Sequence, residues 1–137
     1  MMTAVTAVTV TTDRAKFLRL ALAADAAVTG VNGLAYLAAA GPLSGLLGPD
    51  AGLLRGIGAF LLVYAAAIGV LASRRAVSVA GARAAIGLNL AWTLAGLVAA
   101  VEASGEFTTP GLVWTVLQAL VVAVFAELQI MGLRRLR

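Results

Sequence analysis

The sequence contains no cysteine and no histidine, a single lysine, and three prolines among 137 residues. The first two absences exclude dithiol redox chemistry, thiolate nucleophiles, imidazole metal ligands and bis-histidine haem together. No cofactor is implied, and any chemistry would have to use carboxylates, amides, hydroxyls or arginine. Charge is also scarce: 12% of residues are charged, against about 25% in soluble domains. In its place the chain is 62% hydrophobic, with a mean hydropathy of +1.03, which places it among integral membrane proteins. The net charge of +4 does not point to nucleic acid, because the basic residues flank apolar runs and form no surface interleaved with aromatics. Anionic lipid headgroups are the expected counter-charge.

Only Asp25 and Glu127, of sixteen charged residues, fall inside the long apolar runs. Four such runs are present, 20–40, 56–73, 84–101 and 111–133, of 21, 18, 18 and 23 residues. At about 1.5 Å per residue even the shorter ones reach roughly 27 Å, close to the hydrocarbon thickness of about 30 Å. The prolines fall at their edges, at Gly41-Pro42, Gly48-Pro49 and Thr109-Pro110, where helices are expected to break. The connection 74–83 is short and free of proline, and should join two antiparallel neighbours. The expected fold is all-α, a four-helix transmembrane bundle in one domain, 13–137, behind a flexible tail, 1–12, whose alternation of Thr with Ala and Val has nothing to pair against. Asp13 would cap the first helix. A cleaved signal peptide is disfavoured, because a 21-residue apolar core exceeds the usual 7 to 15 and contains Asp25.

The basic residues set an expected orientation. Arg14, Lys16 and Arg19 precede the first run; Arg74, Arg75 and Arg83 lie between the second and third; Arg134, Arg135 and Arg137 follow the fourth. These nine share one side, and only Arg55 lies on the other. Both termini are therefore expected in the cytoplasm, in a multi-pass protein of the cell membrane.

Polar residues inside the runs are the candidate site. Counted from the arginine flanks, Asp25, Asn89 and Glu127 lie roughly 9 to 11 Å deep, with Thr29, Tyr64 and Thr93 roughly 15 Å deep. Asp25, Thr29, Asn32 and Tyr36 follow the i, i+4, i+7, i+11 spacing of one helix face, which should point into the bundle. Gln118 and Glu127, nine residues apart, lie about 180° from each other, so both cannot face one groove. Either one of the two meets a second subunit, or Glu127 turns toward the headgroups, aided by Arg134 at i+7. Asp25 would be held by Asn89, Tyr64 or Arg83. Gly52 and Gly56, Thr29 and Gly33, and Ala65 and Gly69 have the small-xxx-small spacing of tight membrane packing.

With Asp25 in the first run, Arg55-Gly56 opening the second, Asn89-Leu-Ala-Trp92 in the third and Gln118 to Gln129 in the fourth, the chain resembles small four-span bacterial membrane proteins that carry no assigned activity. Its architecture also resembles the small multidrug resistance exporters, which have four short helices and a carboxylate in the first. Their acid is Glu where this chain has Asp25, and their weak topology bias is absent here, so no functional residue carries over. The functional expectation is a membrane protein without enzymatic activity, an accessory or assembly subunit with the bilayer and a second copy or a membrane protein as partners. The alternative is a proton-coupled carrier or permease for a small solute, cations included, using Asp25.

Overall fold

The computed structural model describes the backbone of residues 2–136 and the side chains of residues 15–136. Among these the fold is all-helical, with five α-helices: α1 (Met2–Ala38), α2 (Ala40–Leu47), α3 (Ala51–Ser73), α4 (Val79–Glu102) and α5 (Thr109–Arg134), and a single 3-10 turn at Ser104–Glu106. Four of them, α1 from Ala15 onward and α3 to α5, are long and apolar enough to cross a membrane.

The helices exceed the apolar runs because capping side chains lie outside them. Asp50 caps α3 by accepting from the Gly52 N–H at 2.9 Å, Ser78 caps α4 through Gly81 at 3.0 Å, and Thr108 caps α5 through Gly111 at 3.0 Å. Pro110 stands in the first turn of α5, where no N–H is required. α1 ends at Ala38, the residue whose carbonyl Pro42, four positions on, has no N–H to bond; the chain bends at Ala39, and Pro42 then lies in the first turn of a further short helix, α2. At the other end α1 begins at Met2, and Asp13 lies within the helix instead of capping it. Once a helix is nucleated, each added residue gains a hydrogen bond for one residue fixed.

Small residues decide which helices come close. Gly33 abuts Gly58 and Leu61, Gly30 lies against Ala65, and Ala26 against Gly69, an antiparallel seam that locks α1 to α3. A Cβ on Gly33 would lie 2.9 Å from the Gly58 carbonyl oxygen, and one on Gly58 would lie 2.8 Å from that of Gly33. The expected pair Gly52 and Gly56 plays no such part: Gly56 is exposed with nothing near its Cβ position. Gly96 against Ala119 joins α4 to α5, and Gly132 against Leu18 brings the start of the membrane-length part of α1 onto the end of α5. By contrast, α3 and α4, although consecutive, meet closely only near their connection, where Ile68 and Ala72 share a buried cluster with Ala82 and Ala85. Further along they are spaced by the stacked rings of Phe60 and Trp92, 5.8 Å between centroids.

The two ends of the bundle are tied differently. At the terminal end, the Arg19 guanidinium donates to the Arg74 and Arg75 carbonyls at 2.7 and 2.9 Å, satisfying the C-terminus of α3, and Arg135 lies over the Phe17 ring. At the opposite end, Gly48, at φ 109°, turns the chain out of α2, and Leu47 accepts from the Thr108 N–H at 3.1 Å. That contact fastens α2 across the start of α5.

Overpacking the α1–α3 seam should be costly. Gly33→Leu is expected to destabilise the protein by at least about 1–3 kcal/mol, whereas Gly56→Ala should stay within about 0.5 kcal/mol of the parent. Thermal unfolding in detergent micelles followed by circular dichroism measures both.

Candidate functional site: a carboxylate bound by four helices

Asp25 is 1% exposed, in the half of the bundle nearer the termini. Its Oδ1 accepts from the Thr29 hydroxyl at 2.8 Å, one turn along α1. Its Oδ2 accepts from the Tyr64 hydroxyl of α3 at 3.1 Å, Asn89 Nδ2 of α4 at 2.9 Å and Gln129 Nε2 of α5 at 2.8 Å. All four membrane-length helices therefore supply one carboxylate with neutral donors. Arg83, considered as a counter-charge, is exposed and is not among the partners of Asp25.

The donors are themselves held. Asn89 Nδ2 also donates to Gln129 Oε1 at 3.0 Å, and Asn89 Oδ1 accepts from the Tyr64 hydroxyl at 2.9 Å. Thr93 donates back to the Asn89 carbonyl at 2.9 Å, one turn below. Asn89 and Gln129 are 4% and 0% exposed, so every polar atom they bring must find its partner inside. Asn89 is the hub of the network, reaching α1, α3 and α5 at once, and the single Tyr64 proton serves either Asn89 Oδ1 or Asp25 Oδ2.

A second polar group lies toward the α2 end. Asn32 Nδ2 and the Tyr36 hydroxyl both donate to Gln118 Oε1, at 2.8 and 3.1 Å, and Trp114 Nε1 donates to the Tyr36 hydroxyl at 2.7 Å. Between the two groups lies a cavity of about 740 Å³, walled by all four long helices and by the leucines of α2. Thr29, Tyr64 and Asn89 reach its floor, Asn32 and Gln118 its flank; Asp25 does not line it.

Of the residues nominated from sequence, Asp25, Thr29, Tyr64 and Asn89 meet directly, and Asn32 joins the second group. Glu127 is separate: it is exposed on the outer side of α5, opposite Gln118, and makes no hydrogen bond or ion pair among the described residues. Gln129 is the residue that sequence reasoning missed. It lies eleven residues from Gln118, about 20° from it around the helix, the same spacing that places Asp25 and Tyr36 on one face. Among the described residues no group of three or more acidic side chains could hold a metal ion.

Comparison with protein-family models, with curated proteins and with solved structures gave no match to this chain. The site is therefore read from its own geometry.

Gln129 and Glu127, two residues apart, should differ sharply in their sensitivity to substitution. Gln129→Leu removes a donor to Asp25 and an acceptor for Asn89, and is expected to lower stability by about 1–3 kcal/mol. Glu127→Gln should leave the isolated protein within about 0.5 kcal/mol of the parent. Denaturant titration in micelles compares the two, and equal losses would contradict this division of roles.

Proposed function

We propose that the chain is a non-enzymatic protein of the cell membrane, with its terminal end toward the cytoplasm, acting as an accessory or assembly subunit that binds another membrane protein. The observation that carries this reading is the unlike fate of the two intramembrane carboxylates. Asp25 is saturated inside the bundle and offers no face to a solute, while Glu127 stands on the outer surface without a partner among the described residues. A carboxylate facing hydrocarbon costs about 2.5–3.5 kcal/mol at the centre of a span. A helix presenting a cation or an amide at that depth would offset the part of this cost that remains at the depth of Glu127. The arginines at the terminal end support the proposed orientation.

One geometric feature favours the carrier reading as the second. The Tyr64 hydroxyl stands between Asp25 Oδ2 at 3.1 Å and Asn89 Oδ1 at 2.9 Å. Turned one way it donates to an ionised Asp25; turned the other it accepts from a protonated Asp25 and donates to Asn89. Both protonation states can be hydrogen-bonded without moving a helix, which suits a group that loads and unloads a proton.

Two experiments separate these readings. Purification from native membranes should co-isolate a membrane protein in stoichiometric amount, and Glu127→Leu should reduce its recovery at least about tenfold, the effect of about 1.4 kcal/mol. Recovery of this chain alone would overturn the accessory reading. In liposomes under a pH gradient, the protein and a folded Asp25→Asn variant should both behave as empty liposomes when candidate cations are added. Cation-driven proton flux in the parent that disappears in the variant would establish the carrier instead.

A further inference from the structure

The cavity between the two polar groups has a feature that the bundle itself does not use. Asn32 and Gln118 are joined by one hydrogen bond, from Asn32 Nδ2 to Gln118 Oε1, where two primary amides can form two. The Gln118 Nε2 donors and the Asn32 Oδ1 acceptor have no partner among the described residues, and both side chains line the cavity. In a membrane no bulk water satisfies them. Around them the wall is hydrocarbon and aromatic, and no charged side chain contributes to it. The volume of about 740 Å³ falls within the roughly 300–1,000 Å³ typical of small-molecule sites. Nor is the cavity sealed: exposed Val28 and Val31 of α1 and Leu117 and Val121 of α5 form part of its wall at mid-span, at the level of lipid tails.

We propose that this cavity binds a neutral amphipath, whose head both donates and accepts a hydrogen bond and whose apolar chain lies against the aromatic wall. The head, a hydroxyl in the simplest case, accepts from Gln118 Nε2 and donates to Asn32 Oδ1. Anions and cations are both excluded, since the wall has no charge to pair with either and Asp25 is shielded behind Thr29, Tyr64 and Asn89. Two sources share this chemistry, a neutral lipid with a free hydroxyl and an isoprenoid alcohol or quinol. The site is independent of the accessory reading above, and either can fail without the other.

The two tryptophans of the sequence, Trp92 and Trp114, both line the cavity, so intrinsic fluorescence reports directly on its contents. The full chain in detergent micelles would be titrated with a brominated long-chain alcohol, with the brominated carboxylate and quaternary ammonium of equal chain length for comparison. Saturable quenching by the alcohol is expected, with at least tenfold weaker saturation by the charged probes. Gln118→Leu should weaken alcohol binding roughly three- to tenfold, as loss of one neutral hydrogen bond implies. Should that variant fail to fold, Val121→Phe, which fills the cavity without touching a hydrogen bond, should abolish saturable quenching. Unlabelled dioleoylglycerol and farnesol, added as competitors, distinguish the two sources by which restores fluorescence. Quenching that rises linearly with probe in the micelle, unchanged by Val121→Phe, would overturn the proposal, as would equal saturation by all three probes.

Discussion

The Asp25 carboxylate has lost its water and must be solvated by protein. Its four donors come from all four long helices: Thr29 in α1, Tyr64 in α3, Asn89 in α4 and Gln129 in α5. Interhelical hydrogen bonds in membranes average about 0.6 kcal/mol and reach about 1.7. The three that cross between helices, with the Thr29 bond inside α1, are comparable with the insertion cost of about 2.5–3.5 kcal/mol for an acidic side chain. The carboxylate therefore adds little net stability. What it adds is a condition on register, because a slip of one turn, about 5.4 Å, in any helix would strand both a donor and the charge.

That condition works together with the packing of small residues. The α1–α3 and α4–α5 pairs approach closely at Gly33, Gly58 and Gly96, where attraction comes from contact and not from expelled water. The polar network then joins one pair to the other at the terminal end, helped by Gly132 on Leu18. Toward α2 the pairs are spaced by long side chains, the Phe60–Trp92 stack and the Asn32–Gln118 bridge, and the cavity is the space this leaves. One bundle thus has a closed half, tied by the Asp25 network, and an open half, bridged by the second polar group.

Much of this was legible in the residues. The spans, the shared depth of Asp25 and Asn89, and the polar face of α1 all follow from helix geometry applied to one segment at a time. The opposition of Gln118 and Glu127 is likewise a property of a single helix. Gln129 was legible on the same terms, at eleven residues from Gln118. Pro42 marks a real break after α1, but the eight-residue α2 that follows it is too short to stand out as a separate apolar run.

Sequence alone determined where the four long apolar helices lie and which face of α1 is polar, because rise and turn per residue are local quantities. Only the tertiary structure decided that Tyr64 and Gln129 meet Asp25, that α3 stands apart from α4 despite their short connection, and that Asp25 is walled off from the cavity beside it. Those outcomes depend on which glycines from distant segments allow two backbones to touch, a choice made between helices and written in neither one.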